Sequence, residues 1–191
     1  MPGRPRDPEL EKRLLDAAWS LLRSRGYDAL TLTKVAAQAQ AHRTDVYRRW
    51  ASKAQLVVDV LAEHLPPVSD RDTGTLRGDV AAIVHGLAES WSSSWIDGLM
   101  GLTADLHHDP DAELAFRTMA VGRGEPLRQA IERATRRGEI GEPPDLSLMG
   151  DLVEGPMMHR RMLGRQPLTA DYLNAIVDLV HSVLTGTTVA R

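Results

Sequence analysis

The sequence predicts an all-α protein. Apolar residues recur at helical spacing along nearly the whole chain, strand-like alternation is scarce, and aromatic side chains make up only 4% of the residues. With 191 residues and 42% hydrophobic content there is material for one large domain or two small ones. No apolar run is long enough to span a bilayer, and the opening MPGRPRDPELEK lacks the apolar core of a secretory signal. The absence of cysteine excludes a disulfide framework and thiolate metal sites, and a reducing cytoplasm is the expected home.

The chain opens on an arm, residues 1–7, in which Arg4 and Arg6 stand among prolines and a glycine. Two readings of it stand: an extension that reaches a DNA minor groove, or a solubilising tail. A first helix is expected from about Pro8 to Arg25. Pro8 suits its first turn, Glu9 and Glu11 suit its dipole, and Gly26 stops it. Leu10, Leu14, Ala18, Leu21 and Leu22 give it one apolar stripe, and Trp19 is read as packing. A second helix spans Thr33 to Gln38 behind threonines that can cap it. The polar or small residues Ala39 to His42 leave room only for a tight turn, and a third helix runs from Arg43 to Trp50. Its Val46 and Trp50 lie four residues apart and face inward; Arg43, Thr44, Tyr47 and Arg48 point elsewhere. Ser52 and Gln55 form a capping box for a fourth helix reaching about Leu65.

Pro66-Pro67 and the polar run to Gly74 mark a boundary. Beyond it the periodicity predicts helices at Leu76–Trp95, Ile96–His107, Asp111–Arg137, Leu146–Leu163 and Ala170–Leu184, with Gly155-Pro156 interrupting the penultimate one. His107-His108-Asp109 with Asp111 has the composition of a metal cluster but reads better as a loop ahead of Pro110. No nucleophile elbow, phosphate loop or cysteine nucleophile is present, so no catalytic group or cofactor is expected.

Two short helices joined by a tight turn, the second basic, have the form of a helix-turn-helix with its recognition helix. Charge agrees. Residues 1–64 hold 11 Lys and Arg against 8 Asp and Glu, and the remaining 127 hold 12 against 18, so a basic head precedes an acidic body.

At Gly26-Tyr27, Leu30-Thr31, Val35-Ala36, the run Arg43 to Trp50, and Ser52-Lys53 with Leu56, the chain resembles the tetracycline-repressor (TetR) family of bacterial transcription regulators. Order and spacing match over roughly fifty residues, and the segment from Asp151 to Arg161 looks like an actinobacterial branch. Two positions depart from the family pattern: Gln40 stands where the turn usually has glycine, and His42 where serine or a similar residue usually opens the recognition helix. Gln40 must therefore tolerate a conformation that glycine takes more easily.

The resemblance implies a DNA-binding domain at 1–52, an effector-binding and dimerisation body at 53–191, a double-stranded operator and a homodimer. Tyr47, Arg49 and Lys53 match positions that meet the DNA backbone; Thr33, Arg43, Thr44 and Asp45 match positions near base edges or adjacent phosphates. His42 either caps the third helix or touches phosphate. In the body, Trp91, Trp95, Phe116, Met119 and Leu152 are either core or the lining of an apolar effector pocket. Leu173, Ile176, Val177, Val180 and Leu184, with Leu146, Met149 and Val153 on the preceding helix, are read as a dimer face, the alternative being an internal core. A helical interaction protein without DNA binding and an all-helical metal-dependent hydrolase stand as rival readings.

Overall fold

The computed structural model describes residues 7–141 and 145–186, so Arg4, Arg6 and residues 142–144 lie outside the described residues. Among the described residues there are nine α-helices and no strand. They are α1 (Pro8–Ala29), α2 (Leu32–Gln38), α3 (Arg43–Tyr47), α4 (Lys53–His64), α5 (Leu76–Trp91), α6 (Leu99–Leu106), α7 (Pro110–Arg137), α8 (Leu146–Met158) and α9 (Ala170–Thr185). The helices belong to two compact units. One holds the chain to Leu65 together with Asp97–Met119; the other holds Pro66–Ile96 and the chain from Ala120 on. α4 packs on both α1 and α6 and lies with them in the first of these units.

In the first unit, Asp7 caps α1 by accepting from the backbone N–H groups of Glu9 and Leu10 at 3.1 and 3.3 Å. Gly26 leaves the helix at φ 75°, ψ 174°, so regular helix stops after Arg25 as its glycine predicts, and Tyr27–Ala29 form a short resumed turn. Thr31 caps α2 on Lys34 N–H at 3.2 Å. The end of α2 is a Schellman motif: Ala41 N–H reaches Ala36 O at 2.9 Å and Gln40 N–H reaches Ala37 O at 3.2 Å. That motif needs a left-handed residue, and Gln40 supplies it at φ 52°. Ser52 caps α4 on Gln55 N–H at 3.0 Å, and the Gln55 side chain reaches back to Ala51 N–H at 3.0 Å. Leu14, Ala18, Leu22, Leu30, Val35, Val46, Trp50, Leu56 and Val60 form the core of this unit. Trp19 stacks on His64, a packing role.

Tyr27 is buried as well, and it carries α6. A Cβ on Gly98 would lie 2.7 Å from Tyr27 Cβ, and one on Gly101 would lie 2.8 Å from its ring. The Tyr27 hydroxyl donates to Asp105 Oδ2 at 2.6 Å. The sequence cluster around His107 resolves into a turn whose Asp109 caps α7, accepting from Ala112 N–H at 3.1 Å. Ser52 and Gln55 also hydrogen-bond Asp109, which holds its carboxyl below the usual range, with the Ser52 hydroxyl the leading cause.

In the second unit α9 packs chiefly on α5 and also on α8. This corrects the expected dimer face. Leu173, Ile176, Val177, Val180 and Leu184 are all buried within the single chain, and so are Met149 and Val153 on α8; of the predicted set only Leu146 is exposed. The apolar face of α9 has its partner in α5, which the sequence places almost a hundred residues earlier. A second stripe on α9 stays uncovered, with Leu179 and Val183 exposed four residues apart. Two helix boundaries also move. The serines at 92–94 end α5 at Trp91, and Ser94–Gly98 form a 3₁₀ turn ahead of α6. Pro156 sits inside α8 without breaking it, and the helix instead widens into a π turn over His159–Leu163.

Asp79, fully buried on α5, anchors the polar segment before it. Its carboxylate accepts from Thr73 N–H and hydroxyl at 2.7 Å and faces Arg133 and Arg137 at 3.3 and 3.5 Å. Burial would raise its pKa, but the Thr73 and Arg133 hydrogen bonds outweigh that and hold it low.

Because a Cβ at Gly98 meets backbone and Cβ of Tyr27, Gly98→Ala is expected to destabilise the protein by about 1–3 kcal/mol. Urea unfolding midpoints measure it, and an unchanged midpoint would show that α6 is not held tightly against Tyr27.

Candidate nucleic-acid interface

At five residues, α3 is too short to hold itself, and its orientation comes from the Schellman turn before it and the burial of Val46 within it and Trp50 after it. Trp50 sits in the core as expected, its indole N–H donating to Asp59 at 2.8 Å. With that side fixed, Arg43, Thr44, Tyr47 and Arg48 share the opposite face and are exposed, Tyr47 to 54%. His42 is exposed and its side chain makes no cap hydrogen bond, so capping is not its role. Thr33 on α2 is half-buried. Asp45 pairs with Arg48 at 3.1 Å, which places a carboxylate beside the cations of this face.

Arg49 departs from its expected place. Only 4% of its side chain is exposed: one guanidinium nitrogen donates to Asp45 O at 3.0 Å, and Nε lies 3.5 Å from Glu11 Oε2. It ties α3 to α1 and does not lie on the outward face. The helix ends at Tyr47, and Arg49 falls in the closing turn, where regular helical spacing no longer predicts direction.

Lys53 opens α4. Its ammonium lies 3.8 Å from the centre of the Tyr27 ring and 3.6 Å from Asp105 Oδ2. Asp105 lies on α6, far from Lys53 in sequence, and no spacing rule links them. Burial and the Asp105 hydrogen bond push the Tyr27 phenol well above its usual value, so it remains a donor.

The arrangement has the chemistry of duplex recognition. Arg43 carries a planar fork suited to a guanine edge, Thr44 and Tyr47 offer hydroxyls, and Arg48 and Lys53 offer positive charge.

The five residues read as pocket or core do not fall in one unit. Trp91, Trp95 and Leu152 belong to the second, and Phe116 and Met119, both half-buried, to the first. Trp91 and Trp95 are buried. An open cleft of about 280 Å³ in the second unit is lined by Pro67, Val68, Asp70, Gly122, Arg123, Glu125, Pro126 and Gln129, none of the five. Sequence reading missed Glu154, a largely buried carboxyl on α8 that accepts the Trp91 indole N–H at 3.1 Å. Burial raises its pKa above the ordinary 4.5, against the Trp91 hydrogen bond and the charge of Arg123. No helix among the described residues is long and apolar enough to cross a membrane.

Two family models match the chain: "Bacterial regulatory proteins, tetR family" over residues 14–60, and "Tetracyclin repressor-like, C-terminal domain" over residues 70–180. The chain is 34% identical over 174 residues to the DNA-binding transcriptional repressor TetR of Mycobacteroides abscessus, covering 90% of this chain and 91% of that one. It is 28% identical over 189 residues to an uncharacterized HTH-type transcriptional regulator, YdeS, of Bacillus subtilis, covering 96% and 92%. Among solved structures, the TetR family transcription regulator SCO0332 aligns with a TM-score of 0.73 at 24% identity, over 94% of this chain and 99% of that one.

Arg49→Ala is expected to cost about 1–3 kcal/mol of stability, since it removes a buried cation and leaves Glu11 and the Asp45 carbonyl without it, whereas Arg43→Ala at the surface stays within about 0.5 kcal/mol. Equal effects in urea unfolding would return Arg49 to the exposed face. For Glu154 the sign follows from its raised folded-state pKa: its contribution is full below the unfolded value and is lost as pH rises through the folded one. Glu154→Gln is therefore expected to match wild type near about pH 4 and to unfold at higher urea at neutral pH. A deficit at neutral pH would mean that the charged form is the one the fold prefers.

Proposed function

The chain belongs to the tetracycline-repressor (TetR) family of bacterial transcription regulators, and from that premise we propose how this ligand-responsive, DNA-binding regulator meets its operator. It acts as a repressor, binding as a homodimer to a roughly palindromic site. Each α3 enters a major groove, with half-site centres about 34–36 Å apart or a multiple of that. The observation that carries this reading is the outward face of α3, where Arg43, Thr44, Tyr47 and Arg48 are exposed together while Val46 is buried.

Arg43 reads a base edge, Arg48 and Tyr47 hold the backbone, and Lys53 neutralises a phosphate at the start of α4. Arg49 supports the fold and leaves the DNA roles to these four. A small apolar effector, bound in the body where Trp91, Trp95 and Leu152 belong, releases the DNA, and by linkage DNA weakens effector binding by the same factor. Because the apolar core face of α9 is buried, the dimer contact is assigned to its other stripe, Leu179 and Val183, with the exposed Leu148 on α8.

Selection of bound fragments from random duplexes tests the whole reading; enrichment of one inverted repeat is the expected result, and no enrichment at low salt would overturn it. With that site in hand, Arg43→Ala is expected to relax preference at one position per half-site by about 1–3 kcal/mol. Uniform weakening over all sequences would reassign Arg43 to the backbone. Leu179→Glu with Val183→Glu is expected to give monomers in sedimentation, and a persisting dimer would place the contact elsewhere.

A further inference from the structure

The surroundings of Lys53 carry more than a phosphate contact. Its ammonium stands over the Tyr27 ring at 3.8 Å and beside Asp105 at 3.6 Å, while the same Asp105 oxygen accepts the Tyr27 hydroxyl at 2.6 Å. The separation from Asp105 exceeds a good N–H···O distance, so the pair is ionic and the three ammonium donors remain available to another acceptor. Tyr27 itself cannot swing away: it is 2% exposed, and Gly98 and Gly101 close on it. Asp105 is about half exposed and Lys53 about a quarter, so solvent and ions reach both.

We propose that Asp105 is an internal counter-ion that competes with nucleic-acid phosphate for Lys53, with Tyr27 as the positioning residue that keeps the ammonium within reach of both. The proposal rests on the DNA-binding reading above. In the free protein the Asp105 carboxylate partly neutralises Lys53. When phosphate takes the ammonium, Asp105 loses that partner and keeps only the Tyr27 hydroxyl, and this loss subtracts from the affinity for any duplex. A single carboxylate on α6 thereby tunes backbone affinity without touching the sequence-reading face of α3. The size of the effect is bounded by the solvent exposure of the pair, since water and salt screen exposed ion pairs.

The test is a double-mutant cycle read by fluorescence anisotropy on a labelled mixed-sequence duplex at low ionic strength. Asp105→Asn removes the charge and keeps an oxygen for the Tyr27 hydroxyl. It is expected to tighten binding by about two- to fivefold when Lys53 is present and to change nothing in a Lys53→Ala background. Asp105→Glu, which keeps the charge, is expected to stay close to wild type, and thermal unfolding verifies that each variant is folded. The same tightening in both backgrounds would mean a general loss of negative charge, and no tightening in either would mean no competition; each result overturns the proposal. If wild type binds no duplex at all, the DNA-binding reading itself falls and takes this one with it. Binding by wild type without coupling between positions 53 and 105 removes the counter-ion alone.

Discussion

The head depends on one constraint: a five-residue helix cannot hold its own shape, because forming the first helical turn costs more than its few hydrogen bonds return. What fixes α3 is external to it. On one side the Schellman closure of α2, with Gln40 left-handed, sets the angle at which the chain enters. On the other, Val46 and Trp50 are buried and the Trp50 indole is tied to Asp59 of α4. Once those anchors are placed, the exposed face of Arg43, Thr44, Tyr47 and Arg48 follows from helical geometry alone. Gln40 shows that glycine is not required for this turn. Another residue can occupy the left-handed region there when burial of the neighbouring helices offsets the strain.

Electrostatics divides the head's cations into two kinds. Arg49 is enclosed, with its charge set against Glu11 and the carbonyl of Asp45, and serves cohesion between α1 and α3. Arg43, Arg48 and Lys53 keep contact with solvent, and two of these have a carboxylate nearby, Asp45 for Arg48 and Asp105 for Lys53. Exposed pairs of this kind cost little to separate, so they leave the cations available to phosphate. They also lower the local positive potential that draws a polyanion in.

The second unit is built on a different balance. Its core is the face shared by α5, α8 and α9, and its polar fastening is Asp79, buried among Thr73, Arg133 and Arg137. A buried carboxylate so well supplied with donors stays ionised, whereas Glu154, with the Trp91 indole as its hydrogen-bond donor, has its pKa raised by the same burial. The pKa values of two carboxylates in one unit are thus shifted in opposite directions, because the donors and cations around Asp79 outweigh its burial, whereas the Trp91 indole and the charge of Arg123 do not outweigh that of Glu154.

Local chemistry determined a large part of this protein. The helical class, the stop at Gly26, the caps at Thr31 and Ser52, the strained place of Gln40 and the inward pair Val46 and Trp50 are all set by residues within about four positions of one another, the range over which helix and turn rules act. What tertiary structure alone decided were the partnerships of distant segments. The apolar face of α9 could have met a second chain or α5, and periodicity is the same in both cases; packing chose α5. Arg49 left the outward face because α3 closes early, and Lys53 met Asp105 because Tyr27 brings α6 to the start of α4. A hydrophobic stripe or a charge specifies that a partner is needed, but dispersion and Coulomb attraction carry no address, and only the folded chain supplies one.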